Sequence, residues 1–282
     1  MGVGGGIRVG RVPTGAGGRW GWGHGAVAYS RGLVWLVGRV GEGRMRIVGL
    51  RLWTSELGAL RGFYTGVLGL PLVEEGPGEG LGAGAAWFTV RAGATLLTFV
   101  GGATASTAGR ACGAGVGVTR LTFVGGATGA PTYHVAFNIP RNLLSAAKVW
   151  LVGRAALLTL DGADEFDSPS WNARQVYFLD PAGNILEFIA RQNLRDDGVG
   201  PFDAGAILNV SEIGLPTDDV TATVARLVGE HGFAPFRERS ETFAPVGDEE
   251  GLLIVVRRGR PWFPTTRAAE GHRVEVTIGG ES

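Results

Sequence analysis

The sequence is poor in cysteine and methionine, with one and two respectively, and has no net charge. The lone Cys112 cannot close an internal disulfide, and its Gly/Ala-rich surroundings offer neither a base nor a C-x-x-C partner. Neither a disulfide framework nor a thiol nucleophile is expected, and a reducing cytoplasm is the expected location. The 26 basic and 26 acidic residues cancel. That removes the electrostatic reason to expect a nucleic-acid or anionic-membrane partner and favours a small, roughly neutral ligand. The apolar stretch Ala26 to Val40 is too short to span a bilayer and is broken by Arg31. A phosphate-cradling glycine loop, a nucleophile elbow and a dinucleotide-binding glycine pattern at a strand–helix junction are all missing, which argues against nucleotide-driven chemistry and serine hydrolysis.

Glycine, by contrast, is abundant: 50 of the 282 residues, more than twice the usual share of about 7%. The glycines concentrate in 1–44, 76–84 and 101–130. Residues 1–44 mix tryptophans with glycines, hold a single acid, Glu42, and show no helical or strand period, so a disordered tail is expected. No small-x-small cleavage site follows their apolar run. Met45 stands directly before the first convincing strand, so the segment reads as an extension or as sequence upstream of the translation start.

From Ile47 onward one structural phrase recurs. A strand over Ile47–Trp53 leads to a helix with Thr54 or Ser55 as N-cap, apolar residues Leu57, Leu60, Tyr64, Val67 and Leu68 on one face, and Gly69 as its stop. Strands at Leu70–Val73, Trp87–Val90 and Thr95–Val100 complete a βαβββ unit. The phrase returns with a strand at Tyr133–Ile139, a helix capped by Asn142 and running through Leu151, and strands near Leu157–Leu160, Gln175–Leu179 and Ile185–Ala190. Asp180-Pro181-Ala182-Gly183 carries the residues of a type I turn between the last two. A third copy opens at Ile207–Leu215, has Asp218 or Asp219 capping a helix that stops at Gly232, and ends with strands near Glu241–Val246, Leu252–Val256 and Val274–Ile278. The expected organisation is therefore a tail over 1–44, a first module over 45–104, a Gly/Ala-rich insertion over 105–130, a second module over 131–194 and a third, more divergent one over 205–282. Leu97 to Thr104 is repeated word for word as Leu121 to Thr128. One copy closes the first module. The other is expected to lie in a loop insertion rather than to pair with the first as an extra hairpin, because the Gly/Ala/Ser residues between them offer little to pack.

Three fragments, Arg61 to Leu70, Tyr133 to Phe137 and Asp180 to Phe188, resemble the helix end, first strand and last strand of modules of the vicinal-oxygen-chelate superfamily, the glyoxalase, bleomycin-resistance and extradiol-dioxygenase group. The likeness covers most of 47–192 and, more faintly, 207–279. It implies an α+β fold in which repeated βαβββ modules form a cupped mixed sheet around a divalent metal, with ligands on the first and last strands of each module. Carried onto this chain, it places ligands at His134 and Glu187, an imidazole and a carboxylate that suit Fe, Mn, Ni, Co or Zn. In the first module Gly49 stands where the His is expected and Thr98 or Leu97 where the Glu is expected, so half of the usual ligand set is absent. Arg174, Glu212 and His272 are the candidates to complete or modify the site. Arg174, as a cation, would repel a metal and pair with a carboxylate.

The resemblance also implies a metal-dependent lyase, isomerase or dioxygenase acting on a small organic substrate. The rival is a protein of the same fold that sequesters a small molecule without turnover and without a metal. In either case Trp53, Phe88, Tyr133, Phe137, Arg174 and Tyr177 are the candidates to line the pocket. A module left without a partner would pack against 47–192 or mediate a homodimer. The bland alternatives are a satisfied core histidine at His134 and a Glu187 paired with Arg174 or Arg191. The acidic run Asp161, Asp164, Glu165, Asp167 lacks calcium-loop spacing and reads as a solvated connection, and His231 as a favourable charge at a helix C-terminus.

Overall fold

The computed structural model describes residues 29–30, 33–34, 44–77, 86–102, 118–237 and 239–280. Within Met1–Arg39, strands β1 (Tyr29–Ser30) and β2 (Leu33–Val34) pair antiparallel. The rest of the expected tail lies outside the described residues. Val40–Ser282 forms a separate compact unit.

That unit begins with β3 (Met45–Thr54), α1 (Leu57–Gly62), β4 (Leu72–Pro77), β5 (Ala86–Ala92) and β6 (Thr95–Gly101). After α1 the chain continues as a wider π-helical turn, Phe63–Val67, in which the Leu68 N–H donates to the Phe63 carbonyl. Gly69, at φ +68°, then turns the chain out of the helix, a conformation that costs glycine little. Next come β7 (Val118–Phe123), β8 (His134–Asn138), α2 (Leu144–Leu151), β9 (Phe166–Ser168), β10 (Ala173–Leu179) and β11 (Ile185–Arg191). The last elements are β12 (Asn209–Thr217), α3 (Val220–His231), β13 (Phe243–Asp248), β14 (Gly251–Arg257) and β15 (Val274–Gly280).

Local chemistry explains several of these boundaries. Asp219 caps α3 by accepting from the Ala222 N–H at 2.8 Å, and Gly232 ends the helix at φ +70°. The Asp180–Gly183 turn closes with Gly183 N–H on the Asp180 carbonyl at 2.9 Å, while Asp180 Oδ1 accepts from Ala182 and Asn184. Tyr64 donates its hydroxyl to Asp180 Oδ2 at 3.1 Å, tying the first module's helix to this turn. The expected side-chain caps of the other two helices do not form. Thr54 accepts from Glu56 N–H just before α1, and Asn142 is engaged with Gly198.

The strands build two sheets, one in the order β13-β14-β12-β8-β11-β10-β9 and one in the order β4-β5-β6-β3-β15-β7. One apolar core takes side chains from both, together with Leu60 of α1, Leu144, Ala147 and Leu151 of α2, and Val220, Val224 and Leu227 of α3. Fold class and cupped mixed sheets match the expectation. The partnership of the modules is what local sequence did not show. The second and third modules pair with one another, through β8 antiparallel to β12.

Three assignments need correcting. The strand expected near Leu157–Leu160 is reduced to isolated bridges, Leu157 to Phe178 and Leu160 to Ala163, and β9 takes its place beside β10. β15, expected to close the third module, pairs with β3 and β7 in the other sheet and not with β14. Part of the expected loop insertion is a strand: Leu121 to Phe123 of the repeated segment lie in β7, facing Val276 to Val274. The two copies share a sheet but do not touch, because β6 sits between β3 and β5. The reason is physical. β15 alongside β3 exposes a free edge, and the alternating Leu-Thr-Phe of the second copy supplies a strand that buries Leu121 on it.

Candidate functional site

The centre of the seven-stranded sheet is set by the small residue Ala136. On β11, parallel to β8, Glu187 lies in register with Ala136; on β12, antiparallel to β8, Glu212 does the same from the other side. His134 is two residues earlier on β8, and a two-residue step returns a side chain to the same face. Imidazole and both carboxylates therefore converge on one face of three adjacent strands. His134 Nε2 is 3.5 Å from Glu187 Oε2 and 3.8 Å from Glu212 Oε2, and one donor atom from each residue lies within 4.8 Å of the others. All three residues are buried. A metal with bonds of about 2.0–2.2 Å to N and O holds its ligand atoms at separations of this order.

Of the three residues that the sequence offered to complete the site, Glu212 is the one that lies beside His134 and Glu187. Its position depends on which strand pairs with β8, and no local pattern reveals that. Arg191, whose side chain is 0% exposed, holds the second oxygen of Glu212 through Nη2 and Asn138 Oδ1 through Nε at 3.1 Å. The arginine thus pairs with Glu212 rather than with Glu187, and leaves Glu212 Oε2 facing His134.

Burial by itself would lower the His134 pKa, but the facing carboxylates of Glu212 and Glu187 outweigh it and hold the imidazole above its usual range. Burial and the neighbouring Glu212 push Glu187 up to about 8. Glu212 meets the same burial, yet His134 and Arg191 bring it below the ordinary carboxylate range. The two glutamates are thereby driven apart, the usual outcome when like charges share a dry site. Tyr177 pairs across from Glu187 on β10. Burial, then the two carboxylate charges, keep its phenol protonated well above its normal range.

A cavity of about 540 Å³ opens on this cluster. Its walls are aromatic, with Phe166, Trp171, Tyr177, Phe243, Trp262 and Phe263, and its polar lining beyond the cluster includes Gln175 and Arg260. Trp262 lies over the His134 ring at a centroid distance of 5.1 Å. Ile254 also faces the cavity. Register shows what it replaces: Glu187 lies two residues beyond the partner of His134 on β11, and Ile254 lies two residues beyond the partner of Glu212 on β14. An apolar side chain occupies the fourth station of the cup.

Among the other sequence candidates, Tyr177 lines this cavity, and Tyr133 and His272 line a neighbouring one. The remaining four lie elsewhere. Phe137 is an odd number of residues from His134, so it points into the core against Phe188. Phe88 stacks on Phe99 in the six-stranded sheet, and Trp53 in that same sheet is covered by the Arg273 guanidinium at 4.3 Å. Arg174 itself does not line the cavity, because alternation along β10 turns it away from Gln175; it pairs with Glu165 and, at 3.3 Å, with Asp167, two acids that do line it.

No protein-family model matches the sequence, and no curated protein matches it. Among solved structures, a putative dioxygenase from Bacillus subtilis superposes with a TM-score of 0.51 at 18% identity, covering 83% of this chain and 69% of its own. Glyoxalase I from Zea mays superposes with a TM-score of 0.46 at 13% identity, covering 82% and 73%. Identities this low speak to architecture alone. The two cupped mixed sheets and the first of these superpositions agree: the chain has the vicinal-oxygen-chelate fold.

Proposed function

We propose that the protein is a divalent-metal-dependent enzyme of the glyoxalase or dioxygenase type, acting on a small organic molecule held in the aromatic cavity. The observation that carries this reading is the convergence of His134, Glu187 and Glu212 on one cavity-facing patch, with Ile254 at the fourth station. One nitrogen and two carboxylate oxygens form a hard donor set that suits Fe(II), Mn(II), Co(II), Ni(II) or Zn(II). Three protein ligands leave coordination positions open, and a metal there would supply Lewis-acid polarisation of two adjacent substrate oxygens.

The chain's own residues support the remaining tasks. Arg191 fixes the Glu212 carboxylate by one oxygen, so the other is presented in a constant orientation. Glu187, set across from Tyr177 on β10, presents its carboxylate to the same cavity. Tyr177, kept neutral, is a hydrogen-bond donor beside it. The aromatic walls keep water from the cluster and favour a flat, apolar substrate body.

One feature favours the rival reading of a binding protein without a metal: the buried Arg191 already pairs with Glu212, so one carboxylate of the cluster is neutralised by the chain itself. Elemental analysis of protein purified without chelator separates the two. The enzyme reading expects near-stoichiometric metal in the wild type and its loss in both His134→Ala and Glu187→Gln. A wild-type protein that stays metal-free after reconstitution with each candidate ion, yet still binds aromatic compounds, would leave the sequestration reading standing. Homodimerisation and the cytoplasm as location belong to the same proposal; among the described residues no helix is long and apolar enough to cross a membrane.

A further inference from the structure

A second cavity, of about 420 Å³, shares only His134 and Trp262 with the aromatic one. Its walls come from both sheets: Thr122 of β7 and Val274 of β15 on one side, and Gly214 to Thr217 of β12 on the other. Besides Phe123, Tyr133 and the shared Trp262, this cavity is lined by threonines, by Arg226 and Arg258, and by His272. We infer that it is a binding site for a small oxyanion, a carboxylate or a phosphate, recognised by Arg226, Arg258 and His272.

Three observations carry the inference. The His272 side chain is 0% exposed, yet neither ring nitrogen has a hydrogen-bond partner; Nε2 stands 3.6 Å from Glu270 Oε2, beyond bonding distance. A buried imidazole left without a partner is a donor waiting for an acceptor. Arg226 makes no hydrogen bond or ion pair with any described residue, so its fork of N–H groups is unspent. Arg258 spends only Nε, on Asp218 at 3.1 Å, and its two terminal nitrogens are free. They reach over backbone stripped of side chains: a Cβ at Gly271 would stand 3.4 Å from Nη2, and one at Gly126 3.7 Å from Nη1.

The lining therefore has a surplus of donors. Against them stand Asp218, already engaged and 81% exposed, and Glu270, 53% exposed and turned largely to solvent. A planar or tetrahedral oxyanion offers the several acceptor lone pairs that a guanidinium fork and an imidazole N–H require. Because Trp262 borders both cavities, an anion here also abuts the wall of the aromatic site. The site itself depends on no metal.

The test is isothermal titration calorimetry on the full chain, freed of metal by chelator and dialysis, with inorganic phosphate and with acetate in separate runs. The expected result is saturable one-to-one binding of at least one anion, with the preferred one identifying the source. Arg226→Met, which alters an exposed helix position, weakens it by about tenfold or more. Arg258→Met and His272→Ala do the same, and Ser168→Ala, at a residue that lines only the other cavity, leaves it unchanged. If His272→Ala fails to fold by circular dichroism, the two arginine variants decide alone. Absence of saturable binding with both anions, binding that survives Arg226→Met, or binding abolished by Ser168→Ala would overturn the inference.

Discussion

In the seven-stranded sheet, β8 has β11 parallel on one side and β12 antiparallel on the other; in the six-stranded sheet, β3 has β6 parallel on one side and β15 antiparallel on the other. Register makes the correspondence residue by residue. His134 faces Ile185 on β11, and Gly49 faces Leu96 on β6; two residues on, Glu187 answers to Thr98. Glu212 pairs with Ala136, and Glu275 pairs with Arg51. The same three stations therefore hold His, Glu and Glu in one cup and Gly, Thr and Glu in the other. Arg51 replaces the small Ala136 between them, filling the space and pairing with Glu275 at 3.2 Å, while Arg273 takes its other oxygen at 2.7 Å. The cavity at the second set shrinks to about 90 Å³, against about 540 Å³ at the first. Strand pairing supplies the stations; which side chains occupy them, and what lies between, decides whether a site exists.

The largest expected difference between the cups lies in their arginines. Arg191 is fully enclosed beside Glu212, whereas Arg51 is 43% exposed beside Glu275. Removing one partner of a buried ion pair leaves an unpaired charge in a dry interior and costs about 3–5 kcal/mol. A pair open to water is worth roughly 1 kcal/mol or less. Urea denaturation of Arg191→Met should show a loss in the first range, and Arg51→Met a loss in the second. Similar losses would mean that the two cups are equally wet and that the comparison fails.

The glutamates should separate the cups next. Glu212→Gln is expected to weaken metal binding by about 100-fold, the upper end of what losing a supporting group costs, and here the group itself faces the imidazole. Glu275→Gln, at the equivalent station of the other sheet, should leave metal affinity unchanged. Titration of the metal-free proteins with Mn(II), read by the electron paramagnetic resonance of the free ion, measures both. Equal effects from the two substitutions would argue that the ligands of the first cup are not what binds.

These correspondences also explain what could be read in advance. His134 and Glu187 were legible through the resemblance, because the fragments that carry it, Tyr133 to Phe137 and Asp180 to Phe188, are continuous stretches of chain. The helix stops at Gly69 and Gly232 and the Asp180–Gly183 turn were legible because they too are local. Glu212 was legible only as one candidate among three, because its partnership with His134 is made across β8 and β12, and neither strand contains a record of which edge it will meet. β15 was assigned to the nearest module in sequence, although the chain crosses to the other sheet before forming it. The aromatic candidates failed differently. Trp53, Phe88 and Phe137 are as apolar as the residues that do line the cavity, and only face and sheet, both set by tertiary pairing, distinguish a wall from a core.

The smallest expected contrast concerns the crossing of each central strand pair. Continuing the β8–β12 register by one step sets Gly214 across from His134, while Gly49 is set across from Thr277 in the other sheet. Each crossing thus has one side chain and one glycine, with the side chain on opposite strands of the two cups. A Cβ at Gly214 would stand 2.6 Å from Trp262 Cη2 and 3.3 Å from His134 Cβ; one at Gly49 would meet Thr277 Cβ and Oγ1 at 3.2 Å. The first contact is with a large ring wedged between two cavities, the second with a small side chain that has only to give by a few tenths of an ångström. Overpacking of the first kind costs about 1–3 kcal/mol. Gly214→Ala should therefore lower stability by about 2 kcal/mol and shift the tryptophan emission as Trp262 moves, and Gly49→Ala should do neither to a comparable degree. Equal losses in the two variants would show that the strand crossing itself, and not the indole above it, limits the room beside His134.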